Sequence, residues 1–229
     1  MSEWVVRVSD KPSVYQLTEP ERNNNAYCFF SEMSNKGWTL EAIAGALGNI
    51  REESHFNPGA CEIGRGQPSA SSEYYGGGLG LIQWTDYPAY TCEYVNPLLW
   101  YAHQVGGTWW NGNLQCDLID LADDPTITDC GVGQGARWGW LYNSTAYLPF
   151  DEYKVYSGSV NDATTIWLYS LERGGYDTLS RRQFYANYYY EWLTGQEADT
   201  PTDPDIPSYD MERRSKIWLT IGRRRRYEI

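Results

Sequence analysis
The chain has 229 residues and a mass of 26.3 kDa, enough for one domain with a full core plus terminal segments. Its 30 acidic residues outnumber 18 basic ones, for a formal net charge of -12. That balance argues against a nucleic-acid footprint spread over the surface and against attraction to anionic membranes. With 11 Trp and 20 Tyr against 5 Phe, the aromatic excess lies in rings with a polar edge, suited to sugar stacking or to an aromatic-rich core.

Residues 3–12, "EWVVRVSDKP", alternate briefly and stop at Pro12, which predicts a short edge strand or arm available for docking. The N-terminus lacks a basic region followed by an apolar core and a cleavage site, and no long apolar run follows. A protein soluble as made, with no signal peptide and no membrane span, is expected. Ala26, Phe29, Phe30 and Met33 recur at helical spacing behind "NNN", predicting an amphipathic helix that closes near Gly37. A second helix follows, with Thr39 as N-cap.

Residues 60–79 are rich in Gly and Ser and carry Pro68 and three consecutive glycines, predicting a hairpin-like flap. Helical patches return over 86–122, and the turn-rich, aromatic "GVGQGARWGWLYNSTAYLPF" follows. Two closing helices are predicted: "NDATTIWLYSLER" behind an Asn/Asp cap, and "SRRQFYANYYYEWLTG" behind Ser180. In the latter, Tyr185, Tyr188, Tyr189 and Trp192 form a stripe assigned to the core, and Gly195 is the stop. "QEADTPTDPDIPSYD" reads as a linker, and the basic end with Ile217, Trp218, Leu219 and Ile221 as a disordered or docking tail.

The five cysteines, Cys28, Cys61, Cys92, Cys116 and Cys130, lack the C-x-x-C spacing of zinc or thioredoxin-type sites, and two disulfides are possible. His55 and His103 are the only histidines, which leaves amidase or peptidase chemistry without a Cys-His or zinc pattern. No metal or cofactor is expected.

The adjacent acids Glu52 and Glu53 close the second helix. With Ile43 at zero and about 100° per residue, Leu40, Ala46, Leu47 and Ile50 cluster within about 60° of one line. Glu52 then falls about 180° away and Glu53 about 80° away, at the border of the apolar stripe. Only Glu53 is then expected to be partly desolvated, as a general acid for glycosidic cleavage requires. A solvated pair at a helix end is the alternative.

"WTLEAIAGALGNIREESHFNPG", "GLGLIQWT" and "LERGG", in that order, resemble the phage tail-type lysozyme family within the lysozyme superfamily. The likeness runs from about Asn24 to Gly195. It implies a mostly α (α+β) lysozyme-like fold, a helical domain with a small β flap beside the cleft. The N-terminal arm would be 1–23, the catalytic domain 24–195 and the linker and tail 196–229. Glu53 matches the catalytic acid, Ser54 and Asn57 the turn behind it, and Gly80, Leu81, Ile82, Gln83 and Trp84 the cleft floor. Trp84, Trp138 and Trp140 are candidates to stack on sugars. Glu172 and Arg173 match a Glu-Arg element expected to pair structurally near the cleft.

Hen-type lysozymes carry an Asp where Gly78 stands here, so the second carboxylate is missing or displaced. Glu73, Glu62 and Asp86 are the candidates, with Glu73 taken as the catalytic partner. The resemblance implies a muramidase acting on the β-1,4 bond of peptidoglycan from a phage virion tail, with other tail proteins as partners. A lytic transglycosylase on the same bond, or a peptidoglycan-binding tail module without chemistry, are the alternatives.

Overall fold
The computed structural model describes residues 3–13, 16–69, 71–88, 94–128, 138–141, 148–172 and 176–195. The tail beyond Gly195, Arg173, Cys92, Cys130 and most of the turn-rich stretch between them and the closing helices lie outside these residues.

Helix α1 (Glu19–Asn35) starts five residues before the expected domain boundary. Thr18 and Glu21 form a capping box, with the Thr18 N–H donating to the Glu21 carboxylate at 2.8 Å, and Pro20 fits the first turn. That reciprocal cap places the run of asparagines inside the helix rather than at its start. Ala26, Phe29 and Met33 are buried as expected, and Gly37 ends the helix at φ +86°. Helix α2 (Leu40–Ser54) follows, with the Thr39 hydroxyl accepting from Ala42 N. It is buried on nearly every side, from Ala42 to Glu52, because α1, α6, α7 and α8 all pack on it.

The expected flap contains no extended ladder among the described residues. Single bridges join Cys61 to Leu79 and Leu79 to Trp84, because glycines at positive φ (Gly64, Gly66, Gly76) bend the intervening chain. A short antiparallel pair follows, β1 (Tyr87–Pro88) and β2 (Tyr94–Val95), with Tyr87 opposite Val95. Asn96 and Asn111 then cap α3 (Pro97–Gln104) and α4 (Gly112–Asp120) by accepting from backbone N–H groups of the first turn. Two short helices, α5 (Pro125–Thr128) and α6 (Phe150–Lys154), lead to α7 (Val160–Trp167), which runs into a π-helical turn over Leu168–Glu172. Ser159, not the expected Asn or Asp, caps α7. Helix α8 (Leu179–Leu193) closes the domain, with Tyr185 and Tyr189 buried and Tyr188 and Trp192 half-buried against the core, as the stripe predicted.

The N-terminal arm lies on its own domain. Asn25 accepts from Val5 N at 2.8 Å and donates to Val5 O at 2.7 Å; Asn57 accepts from Arg7 N at 3.0 Å and donates to Arg7 O at 2.6 Å. Ser9 then pairs with the Gly59–Cys61 backbone. Two buried asparagine side chains thus satisfy backbone groups that an isolated strand would leave to water.

Cys28, Cys61 and Cys116 are buried free thiols, so two intrachain disulfides do not form. Burial pushes Cys28 and Cys61 up to about 11, and Cys116 well above its usual value, which keeps all three as inert thiols at neutral pH. No described helix is long and apolar enough to cross a membrane.

Candidate active site
The site forms where α2 ends against α8. Asn49 and Glu53, four residues apart, share one face of α2. Gly48 on that helix lets α8 approach so closely that a Cβ there would collide with the Arg182 carbonyl and meet the Ala186 Cβ at 2.7 Å. The approach delivers the guanidinium of Arg182, 5% exposed, to the end of α2.

One nitrogen of Arg182, Nη2, donates to Glu53 Oε1; the other, Nη1, donates to Glu172 Oε2 at 2.5 Å and to Asn49 Oδ1 at 3.0 Å. Its Nε donates to Thr178 Oγ1 at 2.9 Å. Asn49 is fixed in turn, since its Nδ2 donates to the carbonyls of Gly45 at 2.8 Å and Thr164 at 3.1 Å. Glu172 sits at the end of the π-helical turn, and its Oε1 accepts from the Trp167 indole at 2.8 Å. The Glu53 side chain is 25% exposed and that of Glu172 4%, so the guanidinium bridges one solvent-reaching and one sealed carboxyl.

The electrostatics follow from that burial. Desolvation pushes Glu172 up to about 8, with Arg182 opposing and the charge of Glu53 adding to the rise. Burial works to lower the Arg182 pKa, but the carboxylates of Glu172 and Glu53 outweigh it and raise it.

The expected solvent position of Glu52 is corrected. Its side chain is 6% exposed and paired with Arg181 of α8. Helix α8, through Arg181, covers α2 at the angle the helical wheel assigned to water. Glu172 is held by Arg182, and Arg173, expected to pair beside it, lies outside the described residues. Arg182 and Asn49 escaped sequence reasoning; an Asn in an otherwise apolar helix, one turn before Glu53, was the available signal.

Behind Glu53 the chain leaves α2 through two left-handed residues, His55 at φ 51° and Phe56 at φ 62°, and Ser54 is fully buried. The His55 ring nitrogen Nδ1 lies 2.9 Å from the Ser13 hydroxyl. Asn57 accepts from Gly59 N at 3.0 Å and anchors the arm, whereas Ser54 ends α2 with its hydroxyl donating back to Ile50 O at 3.4 Å.

The floor segment is a tight turn. Leu79 N donates to Trp84 O at 3.0 Å and Trp84 N to Leu79 O at 2.9 Å, with Gly80 at φ +72° and Gln83 at φ 53° between them. Buried Gln115 of α4 accepts from Leu81 N at 2.7 Å and donates to Pro58 O at 2.8 Å, tying the floor to the end of the α2 elbow. Gly80, Leu81, Ile82 and Trp84 are buried; Gln83 is the half-exposed member of the turn.

The three tryptophans nominated as sugar platforms are packing residues. Trp84 and Trp138 are 3% and 2% exposed and meet edge to face at 6.2 Å, so neither offers an open ring face. Trp140 packs on Phe150 and Tyr153 at 4.9 and 4.8 Å, its indole N–H donating to Leu148 O.

The candidate second carboxylates divide by what they hold. Glu62 accepts from Gly78 N at 3.1 Å and pairs with Arg65 at 3.2 Å. Asp86 accepts from Tyr75 N at 3.3 Å and from Gly76 N, and burial raises its pKa against those hydrogen bonds. Both fasten the triple-glycine backbone. Glu73 pairs with His103 at 3.2 Å and its side chain is 39% exposed. Among the described residues, no group of three or more His, Cys, Asp or Glu is placed to hold a metal ion.

The profile of the family described as phage tail lysozyme matches residues 24–193. Morphogenesis protein 1 of Bacillus phage B103 is 30% identical over 181 residues, which is 79% of this chain and 42% of that protein. This chain therefore spans less than half the length of that relative. With most of its length inside the family match, the chain belongs to the phage tail lysozyme family.

Proposed function
We propose that this domain cleaves the β-1,4 bond between N-acetylmuramic acid and N-acetylglucosamine in peptidoglycan, as part of a phage virion tail that opens the cell wall at infection. The observation that carries the reading is Glu53, placed at the end of the central helix with a quarter-exposed carboxyl and a neighbouring guanidinium that fixes its orientation. Glu53 protonates the departing glycosidic oxygen, a contribution typically worth about 10² to 10⁴ in rate. Glu73 is taken as the second carboxylate because its carboxyl is 39% exposed and bonded to a side chain, His103, whereas Glu62 and Asp86 hold flap backbone. It orients water or offsets the oxocarbenium-like charge. The Gly80–Trp84 turn forms the floor, with Gln83 as the side chain that reaches the sugar. Other tail proteins are its partners in the particle.

The engagement of Glu62 and Asp86 in backbone bonds favours a second reading, a lytic transglycosylase. There Glu53 alone serves as acid and then base, and an internal hydroxyl of the muramyl sugar replaces water. Mass spectrometry of fragments released from purified walls separates the two, because hydrolysed and cyclised muramyl ends differ by one water. Reducing muramyl ends are expected. Cyclised ends establish the transglycosylase, and wall binding without soluble fragments overturns both in favour of a binding module.

A further inference from the structure
Arg182 serves two carboxyls at once. Its Nη2 meets Glu53 and its Nη1 meets Glu172, while Asn49 and Thr178 fix the guanidinium plane from the sides. Two carboxylates against one cation leave the trio with an excess negative charge. A single proton on the pair makes it neutral, and in so buried a place the neutral form is strongly favoured.

Resting on the reading of Glu53 as general acid, we propose that Glu172 is a positioning residue that keeps a proton available to Glu53 by competing with it for Arg182. In the resting form the proton is on Glu172 and Arg182 neutralises Glu53. When the proton is instead on Glu53, Arg182 neutralises Glu172. The two forms differ only in which carboxyl carries the proton, and the charge of the trio is unchanged. Glu53 then passes that proton to the glycosidic oxygen, and the pair is refilled from water.

The surroundings of Glu172 agree with this role. The Trp167 indole of α7 donates to it, Arg182 of α8 pairs with it, and the charge of Glu53 on α2 disfavours its ionisation. The Tyr153 phenol of α6 is held neutral by burial and then by the Glu172 charge. Glu52 pairs with Arg181 and its charge also supports that of Arg182, while Glu53 and Glu172 are the carboxyls Arg182 bonds. Glu53 and Glu172 contact the same guanidinium, so a change of charge at one carboxyl alters the hold of Arg182 on the other.

The pH profile of wall cleavage tests this. In wild type the rate should hold until the pair loses its last proton and then fall on the alkaline side. Glu172→Gln removes the competing carboxylate and leaves Arg182 committed to Glu53. The alkaline limb should then move at least about 1 pH unit downward, the size expected when a contacting charge is changed. The readout is the midpoint of the alkaline limb, independent of the height of the acidic plateau. A purely structural Glu172 would give a uniform loss with the limb unmoved, and that result overturns the inference. Glu53→Gln is run alongside: if it keeps wild-type activity, the general-acid reading itself fails, whereas a dead Glu53→Gln with an unmoved limb in Glu172→Gln sinks only this inference. Should Glu172→Gln fail to fold, ¹³C NMR of the carboxyl carbons in wild type and Glu53→Gln decides instead. The highest-titrating glutamate should titrate at lower pH once the Glu53 charge is gone, and an unchanged titration refutes the coupling.

Discussion

Burial of Glu172 makes folding itself sensitive to pH. Its carboxyl is raised to about 8 in the folded protein from a usual value of 4.5, so the folded state binds a proton that the unfolded chain releases between those values. This contribution to stability is fully present below about pH 4.5 and is lost as pH rises through about 8. Thermal or denaturant unfolding of wild type should therefore show stability declining across that window. Glu172→Gln, which mimics the protonated form and keeps an acceptor for the Trp167 indole and Arg182, should flatten the decline. Equal slopes in the two proteins would show that Glu172 is not the group responsible. At this scale the sequence was only partly legible. Glu53 could be singled out because its angle on the helical wheel and the Glu-Ser ending of α2 that carries the family resemblance are both local. The pairing of Glu53 and Glu172 through Arg182 spans 129 residues along the chain, and local pattern cannot encode it.

At the scale of elements, boundaries set by local chemistry were legible and those set by packing were not. Thr39 capped α2 and Gly195 ended α8 as expected, because a hydroxyl at an N-terminus and a glycine at φ +71° act within one turn. The α1 start was missed because a Thr-Glu capping box outweighed a row of asparagines. The wheel on α2 misjudged Glu52 because it assumes a helix with one wet face, whereas α2 is the hub on which α7 and α8 both close. Its glycines are the mark of that role: a Cβ at Gly45 would lie 2.7 Å from the Ala163 carbonyl carbon. Gly48→Ala should accordingly push α8 away and destabilise the fold by about 1 to 3 kcal/mol, the usual cost of overpacking. Activity should fall with it, because Arg182 rides on the displaced helix. Denaturant unfolding and wall-cleavage rates on the same preparation check both, and a Gly48→Ala protein as stable as wild type would mean the α2–α8 contact is looser than described.

For the whole molecule, the arrangement is a helical core with α2 at its centre, an α2–α8 contact that carries the charged trio, and a flap whose own acids hold its glycine-rich backbone. The arm over residues 3–13 precedes the family match at residue 24, yet it is bonded to Asn25 and Asn57 and so braces the elbow behind Glu53. The mostly α class could be read from helical periodicity and motif order. The arm's docking and the burial of Trp84 and Trp138 depended on how distant segments meet. The measurement that bears most directly on the account is the rate of solubilisation of purified cell walls by wild type and Glu53→Gln, with wall binding and melting temperature recorded in parallel. Glu53→Gln should lose about 10² to 10⁴ in rate while it still folds and still binds walls. A folded Glu53→Gln protein that solubilises walls within about tenfold of wild type, short of what a missing general acid costs, would contradict the assignment of the acid and with it the chemistry proposed for this site.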